Sequence, residues 1–240
     1  MEGFEALSLP SKGKPYKDFD PANVTIRPLI GKDEMVLAEI SRDNVEKKFN
    51  VLIENVTTGL DPKKLTLGDR RYILVWLAMK TYGSKFPVEL VCDNCLLNIS
   101  TEIDMSTFNL KELPDNFEHP YPLKLSDDRI LYLRLMTVTD EINASDYEKR
   151  FGNAWIFRFA QVIVDQEKTL PEKVRLLENL PGREFQLVKA FHEKFDHGPE
   201  MEAPYECPKC GGEGRVSVPF RIEHLLPHGK TLERGYADKV

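Results

Sequence analysis

Two Cys-x-x-Cys pairs constrain this chain of 240 residues more than any other feature of its sequence. Cys92 and Cys95 form the first pair, Cys207 and Cys210 form the second, and the chain has no other cysteine. Each pair stands between two strand-like segments, so each is predicted to form the turn of a β-hairpin. Two such turns that face each other offer four thiolates in a tetrahedron. We therefore predict one structural Zn²⁺ per chain, bound by these four cysteines.

Two other interpretations of the cysteines remain open. The pairs could be dithiol redox sites, although the thioredoxin-like motif opens a helix after a strand and neither pair does so here. They could also form two disulfides, but a bond within Cys-x-x-Cys closes a small and strained ring. Four thiolates leave no open coordination position on zinc, so a metal bound here would be structural and not catalytic.

The distance between the pairs along the chain has a structural consequence. The two hairpins are expected over about residues 86–103 and 203–220, and zinc would join them into one zinc-ribbon-like unit. Everything between the hairpins then becomes an insertion, which we expect to pack beside this unit. Residues 138–198 of the insertion are predicted to be mainly helical.

The composition limits the classes of function. The formal net charge is -6, and an acidic chain is a poor general binder of polyanions, so no nucleic-acid partner is expected. No apolar stretch is long enough to span a membrane, and the N-terminus has no apolar core typical of a signal peptide. Paired cysteines without a secretory signal fit a reducing compartment, so we expect synthesis in the cytosol.

Both ends of the chain are predicted to lie outside the core. Residues 1–23 contain three prolines and few adjacent apolar residues, which predicts an extended N-terminal arm. The composition does not decide between a disordered tail and an arm that lies on a partner. In the second case, removing residues 1–20 should leave the melting temperature of the isolated protein nearly unchanged. Residues 228–240 are polar and are predicted to form a C-terminal tail.

Residues 24–227 are predicted to form a single α+β domain with seven helices. The longest helix runs from an N-cap at Thr66 to a C-terminal glycine, and its apolar middle predicts that Trp76 lies in the core. The charged residues of its first turn, Asp69, Arg70 and Arg71, are expected to be solvated or ion-paired. The other six helices are predicted over residues 31–40, 44–56, 139–151, 154–166, 171–180 and 183–195.

A small antiparallel sheet is predicted beside these helices. Alternating apolar residues indicate a hairpin formed by residues 123–125 and 130–136. Two histidines, His192 and His197, come near the end of the last predicted helix. We expect them to face solvent or to act as helix-end charges, and not to bind metal.

No motif in the chain indicates catalysis. The sequence has no dinucleotide-binding glycine motif, phosphate loop, His-Glu-x-x-His or Gly-x-Ser-x-Gly. If the cysteines bind metal, no thiol is left as a nucleophile. Aromatic and basic residues do not alternate as they do on faces that bind single strands. A binding or assembly protein is therefore favoured over an enzyme.

The order of these features resembles the T4-like bacteriophage baseplate hub subunit family from about Leu9 to Pro227. The stretches that carry the resemblance are LPSKG, VTIRPLIGKDE, LTLGDRRYILVWLAMKTYG, the first cysteine pair, RILYLRLMTV, the helical region and CPKCG. The resemblance implies a structural or assembly protein of a contractile phage tail, either a hub subunit or a hub-assembly factor. It also implies other tail and baseplate proteins as partners, assembly in the host cytoplasm, a place in the virion baseplate and no catalytic residues.

Two functions from other classes compete with this one. The cysteine hairpins alone would suit a nucleic-acid-binding zinc ribbon, and salt-sensitive DNA binding would favour that function. A dithiol redox protein is the other alternative. Titration of the thiols with and without a zinc chelator separates it from both metal-binding functions.

Overall fold

The computed structural model describes residues 3–17, 20–41, 43–218 and residue 225. This part of the chain combines helices with short antiparallel strand pairs, so the predicted α+β class is confirmed. The predicted C-terminal tail at residues 228–240 and the last two residues of the second hairpin, 219 and 220, lie outside the described residues.

Seven helices lie in the described part of the chain, at the positions that the sequence predicted. They are α1 Gly31–Ala38, α2 Val45–Val56, α3 Leu67–Tyr82, α4 Val138–Phe151, α5 Trp155–Ala160, α6 Leu170–Glu178 and α7 Gly182–Lys194. Helix α3 has the predicted N-cap, because the Thr66 side chain accepts from the Asp69 N–H, and its Trp76 is 7% exposed in the core.

Helix α5 is shorter than the sequence predicted. It was expected to continue to Gln166, but it ends at Ala160. The next residues, Val162, Ile163 and Val164, are all β-branched, and such residues favour extended backbone. They leave the helix and bond to a neighbouring strand instead.

All strand pairs in the described residues are antiparallel. The strands are β1 Glu5–Ala6, β2 Thr25–Ile26, β3 Thr57–Thr58, β4 Lys85–Val91, β5 Asn98–Asp104, β6 Leu110–Lys111, β7 Tyr121–Lys124, β8 Ile130–Leu133, β9 Gly198–Pro199, β10 Glu202–Glu206 and β11 Glu213–Ser217. Their order is β1-β2-β3 in one sheet, with β4-β5, β6-β9, β7-β8 and β10-β11 as separate pairs.

The chain contains the same arrangement of elements twice. In the first half, β1 and β2 are followed by α1, α2, β3, α3 and the hairpin β4-β5. In the second half, β7 and β8 are followed by α4, α5, a bridge at Ile163, α7 and the hairpin β10-β11. Helix α6 is an addition to the second half. Each half therefore ends in one cysteine hairpin.

A buried arginine–aspartate pair occupies the same place in both halves. Arg27 follows β2 directly and binds both carboxylate oxygens of Asp33, at 2.7 and 3.3 Å. Arg134 follows β8 directly and binds both oxygens of Asp140, at 2.5 and 2.8 Å. Each aspartate also accepts the N–H that precedes its helix, so the pair fixes the turn from strand to helix. The shared sequence is only an Arg followed six residues later by Asp-Glu.

The two arginines also tie their strands to the next helix pair in the same way. The Arg27 guanidinium donates to the carbonyl of Asn55 at 2.9 Å, and that of Arg134 donates to the carbonyl of Gln161 at 2.9 Å. The chain then returns to the sheet, at β3 in the first half and at Ile163 in the second. Each guanidinium donates four hydrogen bonds to fixed acceptors and is therefore well satisfied.

A buried acid in the first turn of a long helix is repeated as well. Asp69 of α3 accepts the N–H of Ser11 at 2.9 Å, and Glu184 of α7 accepts the N–H of Ser126 at 2.7 Å. Both serines lie in the turn between the first two strands of their half. Each acid therefore pins that turn onto the helix that leads toward a cysteine hairpin.

Each half has its own apolar core. The first is built from α1, α2, α3 and the segment around β1 and β2, and it also includes Val138, Ala203 and Val218 of the second half. The second is built from β7, β8, α5, α6 and α7. The halves are joined where residues 63–67 run antiparallel to residues 136–139, with the N–H of Val138 donating to the carbonyl of Leu65 at 2.9 Å. The insertion between the cysteine pairs thus has a core of its own.

The N-terminal segment belongs to the first core, so the prediction of an arm outside the core was wrong. Leu7 and Leu9 are 4% and 3% exposed, and the N–H of Leu7 donates to the carbonyl of Val24 at 3.0 Å. Two leucines spaced two apart fall on one face of an extended segment, which a count of apolar residues does not reveal. A boundary at residue 23 therefore cuts through one core.

Asp69 is buried and hydrogen-bonded, contrary to the expectation of a solvated or ion-paired residue. It is 0% exposed, and besides the Ser11 N–H it accepts the hydroxyl of Tyr16. Burial and the Asp69 carboxylate raise the pKa of Tyr16 well above its usual range, so the phenol stays a donor. The two arginines beside Asp69 follow the expectation, because Arg70 pairs with Glu46 and Arg71 with Asp196.

The two histidines near the end of α7 are not solvent-facing, so that expectation was also wrong. His197 is 3% exposed, and its Nδ1 donates to the carbonyl of Phe195 at 3.0 Å. Because Nδ1 carries the proton, Nε2 accepts from the hydroxyl of Thr66, at 2.7 Å. Burial lowers the pKa of His192 to about 4. Both lie at the junction of the halves, where only a glycine fits at position 68, since a Cβ there would lie 2.4 Å from the His197 carbonyl oxygen.

Deleting residues 1–17 is expected to destabilise the isolated protein. The deletion removes the buried side chains of Leu7 and Leu9, each worth about 1.5–3 kcal/mol, and leaves Asp69 buried without its donors. Urea unfolding should show a loss of at least about 3 kcal/mol. Leu9→Ala should cost about 2–5 kcal/mol, while Leu110→Ala, at a residue 41% exposed, serves as the control. If the truncated protein is as stable as the full chain, the interpretation of this segment as an arm that lies on a partner would again be favoured.

Candidate metal centre

The four cysteines lie at the tips of two hairpins that meet. The pairing of β4 with β5 runs from Lys85 opposite Asp104 to Val91 opposite Asn98, so Cys92 and Cys95 occupy the turn that follows. The pairing of β10 with β11 ends at Glu206 opposite Glu213, which places Cys207 and Cys210 in the second turn. Because one hairpin closes each half, the centre lies between the two halves.

The sulfur atoms form a compact cluster. All four Sγ atoms lie within 4.8 Å of one another. The Sγ atoms of Cys92 and Cys210 are 3.8 Å apart, and those of Cys95 and Cys207 are 3.6 Å apart. These separations far exceed the bond length of about 2.05 Å in a disulfide. All four cysteines are free, so the cluster is one that can hold a metal ion.

The backbone of the first turn encloses the sulfurs in a tight loop. The N–H of Leu96 donates to the carbonyl of Cys92 at 2.9 Å, and the N–H of Cys92 donates to the carbonyl of Leu97 at 2.9 Å. Leu96 has a φ of 56°, in the left-handed region that strains a side chain with a Cβ. The side chain itself is 76% exposed.

The second turn repeats both bonds. The N–H of Gly211 donates to the carbonyl of Cys207 at 2.9 Å, and the N–H of Cys207 donates to the carbonyl of Gly212 at 2.8 Å. Gly211 has a φ of 65° and so stands where Leu96 stands in the first turn. The two turns therefore have one geometry, and the second carries the residue that adopts it without strain.

Side chains of one hairpin contact the turn of the other. The Tyr205 hydroxyl accepts the N–H of Asp93 at 3.3 Å. The Asn94 side chain approaches Gly212 so closely that a Cβ there would lie 2.3 Å from its amide nitrogen. No local sequence pattern indicates Tyr205 or Asn94 as supports of the centre, because each contacts the turn of the other hairpin, which is distant in the chain.

Burial differs between the two cysteines of each pair. Cys92 and Cys207 are each 1% exposed, Cys95 is half-buried and Cys210 is exposed. Apolar side chains surround the buried sulfurs, with Leu90 and Ile99 beneath them. The cysteine cluster thus has a buried inner side and one open side.

The sulfurs influence one another electrostatically. Burial favours the neutral thiol of Cys207, but N–H donors from Cys210 and Lys209 outweigh it and lower the pKa to about 6. At Cys210 the N–H of Gly212 lowers the pKa, but the neighbouring sulfurs of Cys207 and Cys95 outweigh it and raise the pKa to about 12. Four thiolates this close repel one another unless a cation lies between them.

The histidines take no part in this centre. His192 and His197 lie at the junction of the halves, and the cysteine set is the cluster that the described residues offer to a metal. The predicted ligand set, Cys92, Cys95, Cys207 and Cys210, is therefore brought together in space. That this set binds a metal ion, and that the ion is Zn²⁺, stays a prediction.

Comparison with known proteins gave one match. A family model described as T4 bacteriophage base plate protein matches residues 1–226. No curated protein and no solved structure matches the chain. In the described part of the chain, no helix is long and apolar enough to cross a membrane.

Exchanging the residues at the two left-handed positions should shift stability in opposite directions. Leu96→Gly relieves strain of about 1–2 kcal/mol and loses about 0.5–1 kcal/mol to chain entropy, so a gain of up to about 1.5 kcal/mol is expected. Gly211→Leu adds the same strain and recovers the same entropy, so it should cost up to about 1.5 kcal/mol. Urea unfolding of the metal-loaded protein measures both. Destabilisation by Leu96→Gly would mean that the exposed leucine side chain contributes packing that outweighs its strain.

Proposed function

The chain belongs to the T4 bacteriophage base plate protein family, and we propose that it is a subunit of the baseplate hub, or a factor that assembles the hub, in a contractile phage tail. The observation that carries this proposal is the family match over residues 1–226. The match spans both halves and both cysteine hairpins, so it supports a role for the whole arrangement and not for one motif.

A structural role without catalysis is part of the proposal. Membership of a baseplate family favours it. The buried polar groups at the junction of the halves also favour it, because Asp69, Tyr16, Thr66 and His197 are bonded to one another in the interior. The hydrogen bonds of these four groups hold separate segments of the chain together. The partners would be other tail and baseplate proteins, met during assembly in the host cytoplasm and retained in the virion baseplate.

We further propose that the four cysteines bind one zinc ion as a structural, zinc-ribbon-like unit. Sulfurs at about 2.3 Å from a tetrahedral zinc ion lie about 3.8 Å from one another. The separations of 3.8 and 3.6 Å across the two pairs support this assignment. Because each half supplies one pair, zinc would clamp the two halves at the ends opposite to their strand junction.

Removing a ligand should release both the metal and much of the stability. Purified protein is expected to carry about one zinc per chain, and Cys92→Ser or Cys207→Ser should lose the ion and lower the melting temperature sharply. Lys209→Ser, beside the ligands but exposed, is the matched control. Metal analysis and thermal melting in reducing buffer measure both effects. Protein that is folded without zinc would contradict the zinc assignment. Thiols that are equally reactive with and without a chelator would favour the redox alternative.

Deleting the gene tests the role in the tail. A phage that lacks it should produce few infectious particles and should accumulate tails without complete baseplates, and the wild-type gene supplied in trans should restore both. Normal particles from the deletion strain would overturn the proposed function. Mass spectrometry of purified mature particles then separates the two forms of the proposal, since a hub subunit stays in the particle and an assembly factor leaves it.

A further inference from the structure

Two large aromatic side chains are exposed at the connection between α4 and α5. Helix α4 ends at Phe151, the chain turns at Gly152 in the left-handed region with a φ of 84°, and α5 begins at Trp155. Phe151 is 67% exposed and Trp155 is 47% exposed. Single exposed apolar residues are common on protein surfaces, but two aromatic residues four positions apart at one turn are not explained by chance exposure alone.

The exposed rings rest on other rings and are held in place by them. Tyr147 contacts Phe151 with ring centroids 4.5 Å apart and stacks on Phe157 at 4.1 Å with a 15° tilt. Trp155 meets the buried Phe159 edge to face at 5.3 Å. We call Tyr147, Phe151, Trp155 and Phe157 the aromatic corner. Rings that are already fixed lose little entropy when a partner covers them.

The other half of the chain provides an internal control for this corner. The equivalent connection, between α1 and α2, is closed by polar groups. The Asn44 side chain accepts the N–H of Ser41 at 2.7 Å and donates to the carbonyl of Glu39 at 3.0 Å. The repeated fold therefore does not need aromatic residues at this turn, and their presence in the second half calls for another reason.

Two basic side chains lie beside the aromatic corner on a protein with a net charge of -6. The Lys189 ammonium lies 5.3 Å over the Trp155 ring, and Arg150 is exposed in the last turn of α4. Neither makes an ion pair with any residue in the described part of the chain, whereas Lys149 lies 3.8 Å from Asp146. We call Lys189 and Arg150 the basic rim. With the exposed Glu148 of the same helical turn counted, these three side chains leave one net positive charge, which favours an acidic partner.

We propose that the aromatic corner is the docking surface for a segment of another tail protein that presents apolar side chains flanked by acidic ones. Fixed aromatic residues beside an arginine are the composition of binding hot spots. A second copy of this chain fits less well, because a symmetric pair would bring the two basic rims together. The identity of the partner as a tail protein rests on the proposed function, while the surface itself rests on the contacts above.

Surface variants test the proposal in the phage that lacks the gene. The double variant Phe151→Asp/Trp155→Asp should fold and bind zinc as wild type does, since both side chains are exposed, but its infectious titre should fall at least about tenfold, as loss of two hot-spot residues implies. Met35→Asp is the matched control, at a side chain 68% exposed in the first half, and it should complement fully. The charge variant Arg150→Glu/Lys189→Glu should show the same defect as the aromatic variant.

A fluorescence measurement keeps the proposal testable if the aromatic variant does not fold. In a Trp76→Phe background, Trp155 is the remaining tryptophan of the chain, and acrylamide should quench it in the free protein but not in the assembly intermediate that retains the protein. Equal quenching in both, or full complementation by folded Phe151→Asp/Trp155→Asp, would overturn the docking surface.

The remaining outcomes are also decisive. Wild-type dimerisation on sedimentation, abolished by the aromatic variant, would assign the corner to a second copy and overturn the acidic partner. Normal particles from the gene deletion itself would instead count against the proposed function. The docking surface would then be tested by comparing the quenching of Trp155 in the free protein with and without a purified tail-protein fraction. Failure of the surface and failure of the function are thereby distinguished.

Discussion

One buried carboxylate holds together three segments that are far apart in the chain. Asp69, at the start of the longest helix, accepts the N–H of Ser11 and the hydroxyl of Tyr16 from the N-terminal segment. The cap of the same helix, Thr66, bonds to His197, which follows α7 in the second half. An ionisable group at 0% exposure is tolerated only when its hydrogen bonds are made, so the N-terminal turn and the junction of the halves depend on each other.

The duplication explains why the candidate metal centre is built from two similar turns, because each half of the chain contributes one cysteine hairpin. Each half carries the same Arg–Asp pair after its second strand, the same acid at the start of its long helix and one cysteine hairpin. The halves meet at the strand junction, at the first core, which includes Ala203 and Val218 of the second half, and at the four sulfurs. The metal proposed here would add a bond between the two hairpins to these contacts.

The differences between the halves are as informative as their common plan. Where the shared fold needs only a turn, the first half has polar groups that satisfy one another, and the second half has exposed aromatic rings with a basic rim. The second half also carries the added helix α6 and a separate core. Sequence constraints imposed by folding act on both halves alike, so features present in one half alone are the better candidates for contacts with other proteins.

The sequence by itself determined the positions of the helices, the two hairpins and the four clustered cysteines, because these depend on local periodicity, capping residues and the Cys-x-x-Cys spacing. It did not determine the fate of residues 3–17, the burial of Asp69 and His197, or the early end of α5. Each of those is fixed by a neighbouring strand or by a partner distant in the chain, such as Asp69 for Ser11, 58 residues away, and Thr66 for His197, 131 residues away. The duplication was not apparent in the sequence for the same reason. The hydrogen bonds that reveal it include bonds to backbone carbonyls, and any residue can supply a carbonyl. Only the tertiary structure decides which carbonyls are near.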